Sequence, residues 1–265
     1  MLLRNPYLKA LRDGRRGLIG WAVAIGAVAL LYSVYYPAVS QPAMANAIKA
    51  YPEALKNAFG MQDLATPAGY LESTIFGLLV PVLLAVYTIV TGSRTVAGDE
   101  ETGVLDLILA HPVGRTRLLL ARLGSLWTGV VVISAVVLVL VYAVSGPAKL
   151  SSVGFDHLAA AAVQLALFGT CIGTLTLGVG AATGRRSAAI GTGTVVAVLG
   201  YFANNLGPQV HALAWTQRLS PFYYDLAGKP LVNGLQVADG AVLLGAALVF
   251  AVLAAIAFDR RDIAV

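Results

Sequence analysis

Charge, cysteine and histidine are all scarce in this chain. Of its 265 residues only 12% are Asp, Glu, Lys or Arg, against 58% hydrophobic, and there is one cysteine. A soluble domain usually spends about 25% of its residues on charge, so a water-facing surface of the normal kind is excluded. Cys171 alone allows neither an internal disulfide nor a cysteine-based metal site. The three histidines, His111, His157 and His211, fall in different loops or helix ends, so no metal site is expected. There is no Gly-x-x-x-x-Gly-Lys-Ser/Thr phosphate loop, and Gly228-Lys229-Pro230 is not one. The chain is therefore not expected to bind ATP in that way. Neither a nucleophile–base pair nor a two-histidine helix motif is present, which leaves intramembrane hydrolysis little support.

The few charges are also bunched. Six windows, 18–39, 73–93, 123–145, 158–183, 187–206 and 240–258, contain no Asp, Glu, Lys or Arg. Each is long enough for a hydrocarbon core of roughly 30 Å at about 1.5 Å per residue. Lipid leaves backbone groups no partner but each other, and continuous apolar runs favour helices over the alternating strands of a barrel. The expected fold is an all-α integral membrane protein of six spans, read as one transmembrane domain over 1–265.

Thirteen of the 18 Lys and Arg lie before the first window, in 94–122, in 184–186 and in the tail, and five lie in the other connections. That bias places both termini and the central loop in the cytoplasm. It also accounts for the net charge of +5 without a nucleic-acid partner. None of the six windows holds an ionisable Asp, Glu, Lys, Arg or His in its interior, which argues against a proton- or ion-driven carrier. The power source is then expected to be another protein.

Along the chain, Asn5 and Pro6 read as N-cap and first helical residue, and residues 1–17 as an interfacial helix before the first span. A cleaved signal peptide competes, but the apolar run is longer than a typical h-region and five more spans follow. Residues 40–72 read as two short amphipathic pieces, with Met44, Ile48, Leu55 and Phe59 at near-helical spacing and a break at Pro52. Pro81 is expected to kink the second span. Trp21 and Trp127 mark one aromatic belt. Gly169-x-x-x-Gly173 and Gly180-x-x-x-Gly184 suit close helix approach, within the bundle or across a dimer. Thr170, Thr174, Thr176 and Gln164 cluster on the fourth span, where threonines usually bond back to helix carbonyls. Gly184 to Ser187 makes a tight hairpin turn. In the 207–239 connection Ser220-Pro221 reads as a helix start and Gly228 as a stop, with Trp215, Phe222, Tyr223 and Tyr224 at the headgroup level.

The stretch 94–122 carries the densest chemistry. Three acids, Asp99, Glu100 and Glu101, precede a one-sided apolar run of Val104, Leu105, Ile108 and Leu109, then His111-Pro112, then Arg115, Arg117 and Arg122. Acids at a helix start and basic residues past its finish suit the macrodipole. With Thr102 as N-cap and Pro112 as terminator, a helix of roughly ten residues is expected at the membrane surface.

The segment from Gly98 to Arg115, GDEETGVLDLILAHPVGR, resembles the E-x-G-T-L-E-L-L-L-x-x-P-V-S-R signature of ABC-2 type permeases, the membrane subunits of ATP-binding-cassette exporters. Val104, Asp106 and Gly114 stand where Thr, Glu and Ser are common. The six-span plan is similar too, including a re-entrant-like outer segment between spans five and six. The resemblance implies that 99–112 is a cytoplasmic coupling helix docking into a separate ATPase subunit, which would hold the ATP and Mg, with no cofactor in this chain. Asp99, Glu100, Glu101, Gly103, Asp106, His111, Pro112 and Arg115 would supply its polar and shaping residues, and Val104, Leu105, Ile108 and Leu109 its apolar ones. It further implies a second permease, identical or a sister, completing the pathway in the cell membrane. A charge-free pathway fits amphiphilic or hydrophobic cargo such as a drug, an antibiotic or a lipid-like molecule. The alternative is a sensory or regulatory membrane subunit that binds the same ATPase without transporting.

Overall fold

The computed structural model describes residues 5–41, 50–52, 64, 66–105, 114–209 and 211–261. Chain chemistry sets the first helix directly. The Asn5 side chain accepts from the amides of Tyr7 and Leu8, Pro6 needs no donor there, and helix α1 runs from Pro6 to Val39. Among the described residues no break separates the expected interfacial helix from the first span, and Gly14, Gly17 and Gly20 stay helical. At 1.5 Å per residue these 34 residues make a rod of about 51 Å, well beyond a hydrocarbon core of about 30 Å. Arg12, Arg15 and Arg16 ride on its exposed extension.

Helix α2 (Pro67–Glu101) is the irregular one. Thr66 caps it by accepting from the Gly69 amide. From Leu71 to Leu79 it widens to a π-helix, and Val80 donates to Ile75, five residues back. The widening precedes Pro81, which has no N–H to give and whose ring would crowd the carbonyl four residues earlier. The proline expected to kink the span is thus accommodated by a wider turn. A side chain on Gly77 would run into the Glu72 carbonyl oxygen, so the widened turn requires glycine there. A second π turn, Arg94–Gly98, carries α2 on to Glu101.

Helices α3 (Arg115–Val144), α4 (Phe155–Thr183) and α5 (Arg186–Leu206) follow. The α4–α5 hairpin turns at Gly184, whose φ of 68° is the left-handed conformation a side chain resists. After two 3₁₀ stretches, Gly207–Gln209 and His211–Leu219, come the short helices α6 (Pro221–Leu226) and α7 (Pro230–Asn233). Helix α8 (Val237–Arg260) closes the chain. Six helices, α1–α5 and α8, are long and apolar enough to cross a membrane, and no strand occurs among the described residues. This is an all-α, multi-pass membrane protein. The pieces expected within 40–72, with Met44, Ile48, Leu55 and Phe59, lie outside the described residues.

Helix α4 is the hub, with 72% of its apolar window buried against 17% for α5. Its small residues allow that. A Cβ on Gly173 would sit 2.9 Å from Leu126 and 3.2 Å from Thr88. A Cβ on Gly92 of α2 would sit 3.1 Å from the Gly173 carbonyl and 3.3 Å from the Leu177 amide, so two backbones meet here. The Gly169 and Gly173 faces are thus used inside this bundle. Thr174 and Thr176 bond back to the carbonyls of Thr170 and Ile172, as expected of threonines in a span. Trp127 turns inward, its indole donating to Thr174 Oγ1 at 2.9 Å.

Candidate functional site

The expected start of a surface helix at Thr102 is the end of α2. Thr102 is the C-cap, its hydroxyl donating to the Gly98 carbonyl, and Gly103 follows with φ of 70°. Asp99, Glu100 and Glu101 therefore sit at the negative end of a helix, opposite to the expected placement. The reason is local. The first residue after Ser93 to leave helical geometry for the left-handed region is Gly103, so the helix runs through the acids.

Cations from elsewhere offset that placement. Asp99 Oδ2 accepts from Arg122 Nη2 of α3 at 2.5 Å, with the arginine side chain only 7% exposed. Glu100 accepts from Arg261, beyond α8, and the same guanidinium donates to the Ala181 carbonyl in the last turn of α4 at 2.8 Å. Glu101 Oε1 accepts from the Arg186 amide at 2.8 Å, so a carboxylate of α2 caps the start of α5. Arg115 Nη1 donates to the Arg261 carbonyl at 2.7 Å. Three consecutive acids on one helix end thus hold α3, α5 and the tail of α8, and through Arg261 the end of α4.

Beneath these pairs lies an apolar floor. Leu105 is 0% exposed and packs with Val96, Leu118, Leu119 and Phe258. It belongs to the core at this end and not to an open apolar face. Val104 beside it is 40% exposed. Of the remaining residues singled out in the sequence, Gly103 makes the turn and Arg115 joins the clamp. Asp106, Ile108, Leu109, His111 and Pro112 lie outside the described residues.

The segment between α5 and α8 follows the expected helix start but not the expected placement of its aromatics. Ser220 caps α6 by accepting from the Phe222 amide, and its hydroxyl donates to the Gly200 carbonyl of α5 at 2.7 Å. Trp215 is 64% exposed, but Phe222 is buried between Phe168 and Tyr201, ring centroids 4.6 and 5.5 Å away. So α6 is inserted into the bundle and does not lie flat with all its aromatics at a headgroup level. That insertion carries Asp225 inside, 4% exposed and with its Oδ2 buried without a hydrogen-bond partner, which the sequence reading missed. Burial pushes its carboxyl well above the ordinary carboxylate range. The signal available was a lone acid on the buried side of a capped helix, three residues after Phe222.

Among the described residues no group of three or more His, Cys, Asp or Glu gathers as a metal would require. The arrangement is mechanical: a helix end clamped to its neighbours by charge, and a short inserted helix at a second place in the bundle. No curated protein matches the chain. Residues 3–259 match a protein family described as Multidrug efflux system permease Rv1217c, C-terminal domain. With nearly its whole length matched, the chain belongs to that family of multidrug efflux permeases.

Proposed function

We propose that this permease is the membrane subunit of an ATP-binding-cassette exporter of the ABC-2 type, driven by a separate ATPase that docks on the 99–112 segment. The observation that carries the reading is the clamp at the end of α2. Asp99, Glu100 and Glu101 each engage a different element, so a push on the chain just beyond Gly103 acts on α3, α5 and α8 together. In this reading the acids transmit movement between helices, and the chain from Val104 onward meets the partner. The arginine-rich end then faces the cytoplasm with both termini, as the distribution of Lys and Arg favours. A second permease, a copy or a sister, packs along the pathway, and α5, least covered by its own chain, is the helix offered to it. The nucleotide and its Mg belong to the partner ATPase. Amphiphilic or hydrophobic cargo suits spans whose described ionisable groups are confined to their ends. ATP-driven movement is a shift between two packings of the bundle, set by nucleotide binding next door.

The test is the purified chain with a candidate ATPase, read by co-purification and by ATP-driven efflux from vesicles. Val104→Asp places a charge on an exposed side chain and is expected to weaken both readouts while leaving thermal stability unchanged. Leu105→Asp is unsuitable because that side chain is in the core. Cargo movement by the chain without any ATPase, or full efflux with Val104→Asp, refutes the coupling.

A further inference from the structure

Helix α1 has two faces. Tyr7, Ala22, Ile25 and Ala29 turn toward the bundle: the Tyr7 hydroxyl shares a hydrogen bond with Thr128 Oγ1 of α3 at 2.8 Å, and Ala22, Ile25 and Ala29 belong to the core. Away from it, Arg12, Arg16, Ile19 and Val23 follow one another at spacings of four, three and four, with Arg15 one turn before Ile19. That repeat keeps residues on one side of a helix. All five are exposed, Ile19 at 61% and Val23 at 65%. The apolar stripe that the span shows to lipid therefore runs straight on into a stripe of guanidinium groups.

The basic stripe has no counter-charge of its own. Asp13 is the single acid in residues 1–39. The side chains of Arg12, Arg15 and Arg16 make no ion pair or hydrogen bond. Like charges at spacings of three and four repel along a helix, and three glycines within seven positions, Gly14, Gly17 and Gly20, weaken it further. No close packing offsets that weakness, since a Cβ on any of the three would meet nothing within 4 Å. Yet α1 is helical throughout. Negative charge from outside the protein would remove the repulsion, and the depth is right for it. The first charge-free window starts two residues after Arg16. From Arg12 to Arg16 the helix rises about 6 Å, which matches a headgroup layer of roughly 5–7 Å on each side of the hydrocarbon.

We propose that the outer face of α1 from Arg12 to Val23 binds anionic phospholipid, its phosphate held by Arg12, Arg15 and Arg16 and an acyl chain laid along Ile19 and Val23. Basic side chains just beyond the end of a membrane-crossing helix are drawn to an anionic leaflet. Here the aligned apolar stripe adds a place for the lipid tail, which a free anion lacks. The inference requires that α1 crosses the membrane, not that an ATPase drives the chain, so it fails separately from the coupling.

Hydrogen exchange at amides 12–20 tests it, on the purified chain in phosphatidylcholine nanodiscs with and without phosphatidylglycerol. Phosphatidylglycerol is expected to slow wild-type exchange there by about fivefold or more, what one basic residue contributes at an anionic surface, while amides of α4 do not change. The triple variant Arg12→Gln, Arg15→Gln, Arg16→Gln is expected to lose the difference. Arg117→Gln, an exposed arginine on α3, is expected to keep it. Equal wild-type rates in the two lipids, a difference that survives the triple variant, or one that Arg117→Gln abolishes as well overturns the proposal. So does equal protection by inorganic phosphate added to phosphatidylcholine nanodiscs, which would mean a general anion site. Should the triple variant fail to insert, each single Arg→Gln variant must shrink the difference, and three that all keep it are equally fatal.

Discussion

Replacing Asp99 by Asn removes the charge facing Arg122 while keeping the shape. The Arg122 guanidinium, 7% exposed and with Nη1 already without a partner, would remain buried with no counter-charge. Breaking a buried pair from one side costs about 3–5 kcal/mol. Asp99 is 35% exposed, so water can partly screen the change and about 3 kcal/mol is the fair figure. At about 2–4 °C per kcal/mol for a chain of this size, unfolding should move down by about 6–12 °C. Removing both charges, Asp99→Asn with Arg122→Met, takes away the uncompensated cation and is expected to return most of that loss. The molecule supplies its own reporter: Cys171 is the single cysteine and is buried, so a thiol-reactive dye signals unfolding. An unchanged midpoint in the single variant, or a double variant no better than the single, refutes the claim that this pair clamps α2 to α3.

Two further substitutions test the packing. Gly92→Ala puts a methyl against backbone atoms of Gly173 and Leu177 that cannot rotate away, so α2 and α4 must separate, at about 1–3 kcal/mol read by the same dye assay. Gly77→Ala meets the Glu72 carbonyl inside the π turn and is expected to shift amide exchange across 71–80, whereas Gly191→Ala, with open space around it, should change neither readout.

Legibility followed the range of the interactions. Helix starts set within three or four residues were readable: Asn5-Pro6 and Ser220-Pro221 cap where their side chains can reach the next free amides. Thr102 misled because its hydroxyl can serve either end of a helix. Gly103, a residue suited to the left-handed turn that ends one, was the better guide. The glycine pairs on α4 promised a close approach without naming the partner. The structure assigns Gly169 to Leu84 and Val130, and Gly173 to Leu126 and Thr88.

By itself the sequence determined that this chain crosses a membrane on six helices, because hydrocarbon admits no charge over some 20 residues and each window states that locally. Only the tertiary structure decided what the polar residues do. Glu100 meets Arg261 across 161 positions, and Asp225 is buried because Phe222 of the same helix stacks on Phe168. Burial and pairing are properties of neighbours in space, and a charge in a sequence does not say whether it will face water or a partner.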